Sequence, residues 1–494
     1  MKIQIILYIL GNLTLMFAGI LLVPLGVAFY YRDDAAIWSF IYTLIIAGFL
    51  GGLSKIFFRK REEGIGIREG IAIVTFSWIV CIFLGAIPYW HSGVCTTYCD
   101  AVFETTSGFT TTGSSIFKDV EILPHSILFW RAFTNWLGGM GIIVIFVALL
   151  PAMGVSGYQL FSAEVSGPTA DRLRPRIGQT AKLLWFIYLI ITASMILMLF
   201  CGGMPIFDAV CHTFTTVSTG GFSTKNTSIA YYNSLYIEIV VAAFMFIGGC
   251  NFSLYYKCFQ KEFKKVLKNS ELRFFAGLIL VAIIFVAMAL YFSQPESFNN
   301  ETKNNYYYTL GNSFRRAFFQ VITVCTGTGH VSADFDLWPN SCRFLLVLLM
   351  FIGACAGSTG GGIKCVRILL LLKSSMRELV RVLRPRMVKH VKINGESVSE
   401  EIITESSVFF VVYLGFFGVC SLALTALNTD IITAFSAVAT CMANCGPGLA
   451  KVGPMTNFSD MAYAGKWILS FCMLLGRLEI YSLILLFLPI IWKR

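Results

Sequence analysis

The sequence predicts an all-α polytopic membrane protein, built from four parallel helix–pore-loop–helix repeats in a pseudo-fourfold arrangement and preceded by a two-helix pair. Of 494 residues, 56% are hydrophobic and only 13% are charged. The apolar residues fall in runs such as 71–90, 183–200, 274–292 and 408–426, each of about the length that a helix needs to cross a bilayer. Short stretches rich in glycine and hydroxyl residues recur between these runs. The first apolar run lacks a cleavage site followed by a soluble domain, so we interpret it as a membrane span.

The recurring stretch is clearest at residues 110–113, Thr-Thr-Thr-Gly. Related stretches end at Gly221 and Gly329, each 108 residues after the one before, and a weaker copy ends at Gly446, 117 residues further on. Alignment on the last glycine superposes an alanine twelve residues earlier in every copy: Ala101, Ala209, Ala317 and Ala434. The chain therefore predicts one unit repeated four times, at 64–160, 161–268, 269–376 and 377–494, after the helix pair at 1–63.

Each unit is predicted to contain a helix, a half-helix, an extended loop and a returning helix. The N-terminal pair would form helices at about 5–31 and 35–58, joined by a short turn. In the first unit, a half-helix of about two turns at 100–106 precedes a returning span near 127–153. The same order of elements is expected in the other three units.

Side chains near the superposed alanines predict how the half-helices begin. Asp100 and Asp208 stand directly before the alanine, and Thr433 does so in the fourth unit. An oxygen there can accept from free N–H groups at a helix N-terminus, so these residues are expected to cap the half-helices. Arg316 cannot act in this way, and the third half-helix is expected to begin near residues 312–313.

The distribution of charge predicts orientation. The net charge is +11, yet Lys and Arg do not gather in one patch of the kind that binds nucleic acid. When alternate loops are assigned to alternate sides, 26 of the 38 basic residues fall on one side and nine on the other. The richer side should be cytoplasmic, which places both termini inside and the four stretches outside in a cytoplasmic (inner) membrane. The longest basic connector, 377–401, is expected to contact anionic lipid, with a soluble partner as the alternative.

Irregular backbone at membrane depth is tolerated only where it is buried in protein or lines a watery cavity, so four such stretches imply a shared cavity. Half-helices that end near its centre would favour a cation, and backbone carbonyls could replace the hydration shell of a monovalent ion. Close helix packing at the glycines is the alternative, which recurrence at nearly fixed spacing disfavours. The candidate filter residues are Thr110, Thr111, Thr112, Gly113, Ser218, Thr219, Gly220, Gly221, Thr326, Gly327, Thr328, Gly329, Ala443, Asn444, Cys445 and Gly446.

Five motifs carry a family resemblance: GFTTTGSS at 108–115, STGGFS at 218–223, GSTGGGIK at 357–364, NCGPGL at 444–449 and GRLEIY at 476–481. With the fourfold repeat they resemble the Trk/Ktr superfamily of potassium transporters. The connector at 163–185 and the N-terminal pair resemble its TrkH branch. The resemblance implies K⁺ uptake through a filter of four non-identical loops, with K⁺ as the transported ion and no covalently bound cofactor. It also implies a homodimer and a cytoplasmic nucleotide-binding regulator of the TrkA type. A less selective K⁺/Na⁺ transporter or an H⁺-coupled cation symporter stays open as an alternative.

The third returning helix contains three consecutive glycines, each costing about 1 kcal/mol relative to alanine in a helix, so it should be interrupted. The resemblance implies an intramembrane loop that obstructs the cavity and moves on activation, while a packing seam is the alternative. Arg477 lies in the fourth returning span, where a charge costs about 2.5–3.5 kcal/mol. It could donate to carbonyls freed by the interruption or repel cations, and pairing with Glu479 is the alternative. The candidate gate residues are Gly357, Ser358, Thr359, Gly360, Gly361, Gly362, Lys364 and Arg477.

Other ionisable residues near the cavity are expected to brace the half-helices against their neighbours: Glu104, Arg131, His212 and Glu238. Cys95 and Cys99 could form a bridge, although reduced thiols are favoured. The five histidines are dispersed, and the sequence has no HExxH motif and no P-loop, so an enzyme is not predicted. A secondary transporter with inverted repeats is also disfavoured, because these repeats are parallel.

Overall fold

In the computed structural model, residues 2–58, 66–141, 177–293, 309–386, 390–487 and 489–492 are described. The predicted end of the first returning span near residue 153 and most of the connector motif at 163–185 lie outside these ranges. Within them nearly all of the regular secondary structure is helical, which confirms the predicted all-α class.

In the N-terminal pair, the first predicted span is formed by α1 (Ile3–Ile20) and α2 (Leu22–Tyr31) together, and the second is α3 (Asp34–Phe57). Small residues allow α1 and α3 to approach closely. Ser54 Oγ on α3 donates to the carbonyl oxygen of Leu7 at 2.7 Å, and a Cβ on Gly51 would lie 2.8 Å from the carbonyl oxygen of Gly11. The pair packs against the first repeat.

The repeats supply the remaining elements. The first has α4 (Ile67–His91), α5 (Tyr98–Phe109) and α6 (His125–Gly139). The second has α7 (Ile177–Cys201), α8 (Ile206–Val217), α9 (Leu235–Gly249), α10 (Phe252–Phe259) and α11 (Phe263–Leu267). The third has α12 (Ser270–Phe292), α13 (Leu310–Thr326), α14 (Asn340–Ile352) and α15 (Cys365–Leu383). The fourth has α16 (Glu400–Ala426), α17 (Ile431–Ala443), α18 (Tyr463–Arg477), α19 (Tyr481–Phe487) and α20 (Pro489–Trp492).

A two-stranded antiparallel hairpin, β1 (Lys392–Ile393) and β2 (Glu396–Ser397), lies between the third and fourth repeats. Three short 3₁₀ helices also occur: Ser228–Tyr232, Phe335–Leu337 and Ala450–Val452. Among the described residues, six helices are long and apolar enough to cross a membrane, and a bent pair formed by α9 and α10 would make a seventh.

The returning helices differ from the prediction. The break between α9 and α10 bends the chain by 99°, and α18 is separated from α19 by three residues, of which Glu479 and Ile480 have φ of 50° and 54°. The unbroken returning spans expected in the second and fourth repeats are therefore wrong. The physical reason lies in packing, because each helix passes the end of a half-helix at a glycine. A Cβ on Gly138, Gly248 or Gly476 would lie 3.0 Å or less from the last carbonyls of α5, α8 or α17.

The half-helices also begin earlier than predicted. Thr97 caps α5 and accepts from the N–H of Asp100 at 3.2 Å, and Asp430 caps α17 and accepts from the N–H of Thr433 at 3.0 Å. Pro205 precedes α8, with Asp208 in the first turn, and Thr309 caps α13. The residues predicted as caps thus lie one turn inside the helices, and the third half-helix begins at Leu310.

Candidate ion pathway

The four stretches share one backbone conformation. We number the residues of each stretch 1 to 4, so that position 4 is the last glycine. The N–H of position 3 donates to the carbonyl five residues earlier in every copy, at distances of 2.7–3.0 Å. Position 2 is left-handed throughout, with φ of 54° at Thr111, 56° at Thr219, 71° at Gly327 and 52° at Asn444. This pattern is the Schellman termination of a helix, so each stretch is the C-terminal cap of its half-helix.

This conformation explains two residues that break the hydroxyl pattern in the sequence. Gly327 and Asn444 both stand at position 2, where glycine and asparagine are the residues that adopt a left-handed conformation most readily. Thr111 and Thr219 are the unusual occupants, because β-branched residues rarely have positive φ. The backbone conformation therefore repeats in all four stretches, although the side chains at position 2 differ.

The position 4 glycines form a closed ring. Their φ angles are 83°, 71°, 82° and 96° in chain order. A Cβ on any of them would lie less than 3.0 Å from the position 3 carbonyl oxygen of the next stretch. The contacts run from Gly113 to Gly220, from Gly221 to Thr328, from Gly329 to Cys445 and from Gly446 back to Thr112. The stretches thus surround one centre in chain order, and a side chain fits at none of the four glycines.

Side chains join neighbouring stretches around the ring. Ser114 Oγ donates to the carbonyl oxygen of Gly446 at 2.9 Å, and Asn444 Nδ2 donates to Thr112 Oγ1 at 2.9 Å. These bonds connect the fourth stretch to the first. Between the second half-helix and the end of the third stretch, His330 Nε2 lies 2.9 Å from Thr216 Oγ1.

The residue nine positions before the glycine holds the segment that leaves each of the first three stretches. Glu104 accepts from the N–H of Ile116 at 2.9 Å, His212 Nε2 lies 3.0 Å from Ser223 Oγ, and Gln320 Nε2 donates to the carbonyl of Ala333 at 2.9 Å. Each of these side chains therefore binds the segment that leaves its own stretch. Glu104 also pairs with Arg131 of the neighbouring helix α6, as the predicted bracing role requires.

Arg131 supplies the connection between the first and second repeats. Its Nε donates to Glu104 at 2.8 Å, and both side chains are at most 2% exposed. Its Nη1 donates to the carbonyl of Ser223 at 3.0 Å. Outside this pair, Asp119 accepts from Asn226 at 2.8 Å, and this hydrogen bond lowers the pKa of Asp119.

Two further charge pairs join repeats. Glu238, which the sequence singled out, binds Arg315 through both oxygens at 2.7 and 2.9 Å. Lys466 and Asp100, 4% and 7% exposed as residues, pair at 2.6 Å between α18 and α5. Sequence reasoning missed the Lys466 pair, because its partners lie 366 residues apart.

The chain between α14 and α15, residues 353–364, is not helical. The predicted interruption therefore occurs where the glycines indicated. Four residues of this segment have positive φ: Gly353, Gly357, Gly362 and Lys364. We refer to residues 353–364 as the inner segment.

The inner segment contacts three of the four stretches directly. Thr219 Oγ1 donates to Thr359 Oγ1 at 3.2 Å. A Cβ on Gly360 would lie 2.8 Å from the carbonyl oxygen of Thr326, and one on Gly361 would lie 2.7 Å from that of Ala443. Thr326 and Ala443 are position 1 residues, at the start of their stretches. The inner segment thus lies against the ring at the ends of the stretches where the half-helices terminate.

Arg477 completes the contact with the first stretch. Its Nη1 donates to the carbonyl of Thr359 at 2.6 Å and lies 3.4 Å from Thr111 Oγ1. Its Nη2 donates to the carbonyls of Gly138 and Gly139, the latter at 3.2 Å. One guanidinium therefore binds the inner segment and the end of α6 together.

Other charged side chains lie where the inner segment meets α15. Lys364 Nζ donates to the carbonyl of Gly360. Glu479, considered above as a partner for Arg477, instead pairs with Arg367 at 2.6 Å, and this pair is largely buried. Sequence reasoning missed Arg367, although it follows Lys364 by only three residues.

A family model described as "TrkH: Cation transport protein" matches residues 37–493. The chain belongs to the TrkH family. It is 39% identical to the Trk system potassium uptake protein TrkH of Salmonella typhimurium over 489 residues, which cover 98% of both chains. It is 33% identical to TrkG of Escherichia coli, covering 99% of both. The crystal structure of the potassium transporter TrkH from Vibrio parahaemolyticus superposes with a TM-score of 0.87 at 35% identity and full coverage of both chains. The TrkH-family fold confirms the predicted resemblance.

Proposed function

We propose that this TrkH-family chain takes up K⁺ across the cytoplasmic membrane through a filter of backbone carbonyls. The observation that carries the proposal is the closed ring of four position 4 glycines. The relatives named as potassium uptake proteins support the choice of ion.

The chemistry of the stretches supports a weakly bound monovalent cation. Half-helices direct their negative ends toward the ring, and none of the four stretches contains an acidic residue. Carbonyl dipoles can then replace the hydration shell of K⁺ without holding the ion too tightly to leave. The alternation of left-handed and ordinary φ within each stretch favours carbonyls that turn toward one side.

We also propose that the inner segment is the gate. It contacts the second, third and fourth stretches itself and the first through Arg477, so it lies across the path of an ion leaving the ring. An ion can pass only if this segment moves.

The proposed orientation places both termini and the inner segment toward the cytoplasm and the exits of the stretches toward the outside, as the distribution of basic residues favours. The proposed assembly is a homodimer with a cytoplasmic TrkA-like nucleotide-binding regulator. The naming of the relatives as parts of a Trk system supports a partner protein.

Replacement of each ring glycine by valine tests the filter. Uptake of Rb⁺ by cells that lack K⁺ transport, with Na⁺ as competitor, should retain K⁺ preference in wild type and lose it in the Gly113, Gly221, Gly329 and Gly446 variants. Gly415→Val on α16 is the matched control, because a Cβ there would meet no atom within 4 Å. An unchanged preference in all four ring variants would refute the filter. In vesicles, a reversal potential that shifts with pH or Na⁺ would indicate coupled transport instead of conduction.

A further inference from the structure

Glu271 lies at the first turn of α12 and is 5% exposed. Its Oε1 accepts from the backbone N–H of Ala356 at 2.7 Å. Ala356 belongs to the inner segment. One buried carboxylate at the start of α12 therefore binds a backbone group of the inner segment.

The hairpin between the third and fourth repeats binds the residue next to this carboxylate. Asn394 Oδ1 accepts from the N–H of Ser270 at 2.7 Å, and the N–H of Asn394 donates to Ser270 Oγ at 3.1 Å. Asn394 and Gly395 form the two-residue turn, with φ of 52° and 88°, as expected for an Asn-Gly hairpin turn. The turn thus binds the N-terminus of α12 by a reciprocal pair of hydrogen bonds.

The hairpin also packs beneath the inner segment. Val391 and Ile393, each 4% exposed, form a small apolar cluster with Ala356 of the inner segment and with Val366 and Leu370 of α15. This cluster is separate from the main core. A polar cavity of about 50 Å³ lies beside it. A gap therefore remains between the hairpin and α12.

We propose that Glu271 and the hairpin at residues 391–397 are positioning elements that hold the inner segment in its obstructing conformation. The proposal rests on the gating role proposed above. Backbone groups at membrane depth need partners, and Glu271 supplies an acceptor only while the segment stays where it is. The hairpin stabilises that arrangement by binding α12 and covering Ala356. It lies on the side that the proposed orientation assigns to the cytoplasm, so release of the hairpin would weaken the obstruction from that side.

Two substitutions test the proposal at separate places. Glu271→Met keeps a side chain of similar length but removes the acceptor for the N–H of Ala356. Asn394→Ala removes the acceptor for Ser270 and leaves Glu271 intact. Loss of a hydrogen bond of this strength shifts an equilibrium by roughly tenfold. Rb⁺ flux into proteoliposomes of the full chain without a regulator should therefore rise by about that factor. Ser397→Ala, at an exposed hairpin position, is the matched control and should match wild type.

Hydrogen–deuterium exchange on the same samples separates positioning from general support. Amides at 353–364 should exchange faster in both variants, while those at 106–113 keep wild-type protection. Unchanged or reduced flux in both variants would overturn the proposal, as would equal loss of protection in both segments. Deletion of Gly360 and Gly361 distinguishes this failure from failure of the gate. If only the deletion raises flux, the gating role of the segment stands and the positioning role of Glu271 and the hairpin is refuted. If the deletion does not raise flux, the gating role itself is refuted.

Discussion

Arg477→Ala should release the inner segment. The substitution removes a charged donor from the carbonyl of Thr359, 2.6 Å away, and from those of Gly138 and Gly139. A hydrogen bond to a charged group contributes about 1.5–3 kcal/mol. Only the bond to Thr359 acts directly on the segment, so its loss alone should shift the balance toward the displaced segment by about 10- to 100-fold. Removal of a positive charge beside the ring acts in the same direction, because a cation is then repelled less.

The assay is the initial rate of Rb⁺ flux into proteoliposomes at matched protein content. Arg477→Lys is the matched control, because it keeps the charge but cannot bind Thr359 and α6 together through a planar fork. We expect a large rise for Arg477→Ala and an intermediate rise for Arg477→Lys. Equal flux in wild type and both variants, with the protein folded and reconstituted, would show that Arg477 does not hold the segment.

Two further predictions concern stability, measured as the thermal midpoint of the detergent-solubilised protein. Thr111→Asn should raise the free energy of unfolding by about 0.5–1 kcal/mol, since left-handed φ costs a β-branched residue roughly 1–2 kcal/mol and asparagine adopts this conformation more readily, as Asn444 does at the same position. A lower midpoint for this variant would contradict the strain. Lys466→Met should cost about 3–5 kcal/mol by leaving Asp100 buried without its cation, and Asp100→Asn combined with Lys466→Met should recover most of the loss. If the double variant is no more stable than Lys466→Met alone, the pair does not account for the cost.

The features that could be predicted from the sequence are those encoded locally. Long apolar runs indicate spans, and a run of three glycines interrupts a helix whatever packs around it. The recurrence of the stretches is visible in the sequence because each copy needs glycine at position 4. Its φ is positive, and the carbonyl of the next stretch leaves no room for a Cβ. These signals fixed the class of fold, the places of the four stretches and the break at 360–362.

The features that could not be predicted depend on contacts between distant parts of the chain. The left-handed conformation of position 2 was hidden because Thr111 and Thr219 occupy it in two copies, so Gly327 and Asn444 looked like exceptions when they are the ordinary residues for that backbone. The breaks after Gly249 and Arg477 arise where returning helices meet half-helices. The Asn394-Gly395 turn, in contrast, carries a recognised local signal that sequence reasoning overlooked.

The closed order of the glycine contacts has a mechanical consequence. Each position 4 glycine lies against the backbone of the stretch that follows, and the fourth lies against the first. A stretch that shifts outward or inward must therefore displace its neighbour. Because the contacts close on themselves, such a shift involves all four stretches. The spacing of the four stretches is therefore a collective property of the ring, set by backbone contacts and only indirectly by side chains. Substitutions at adjacent glycines should accordingly be strongly non-additive, since the first already disturbs the contact that the second would break.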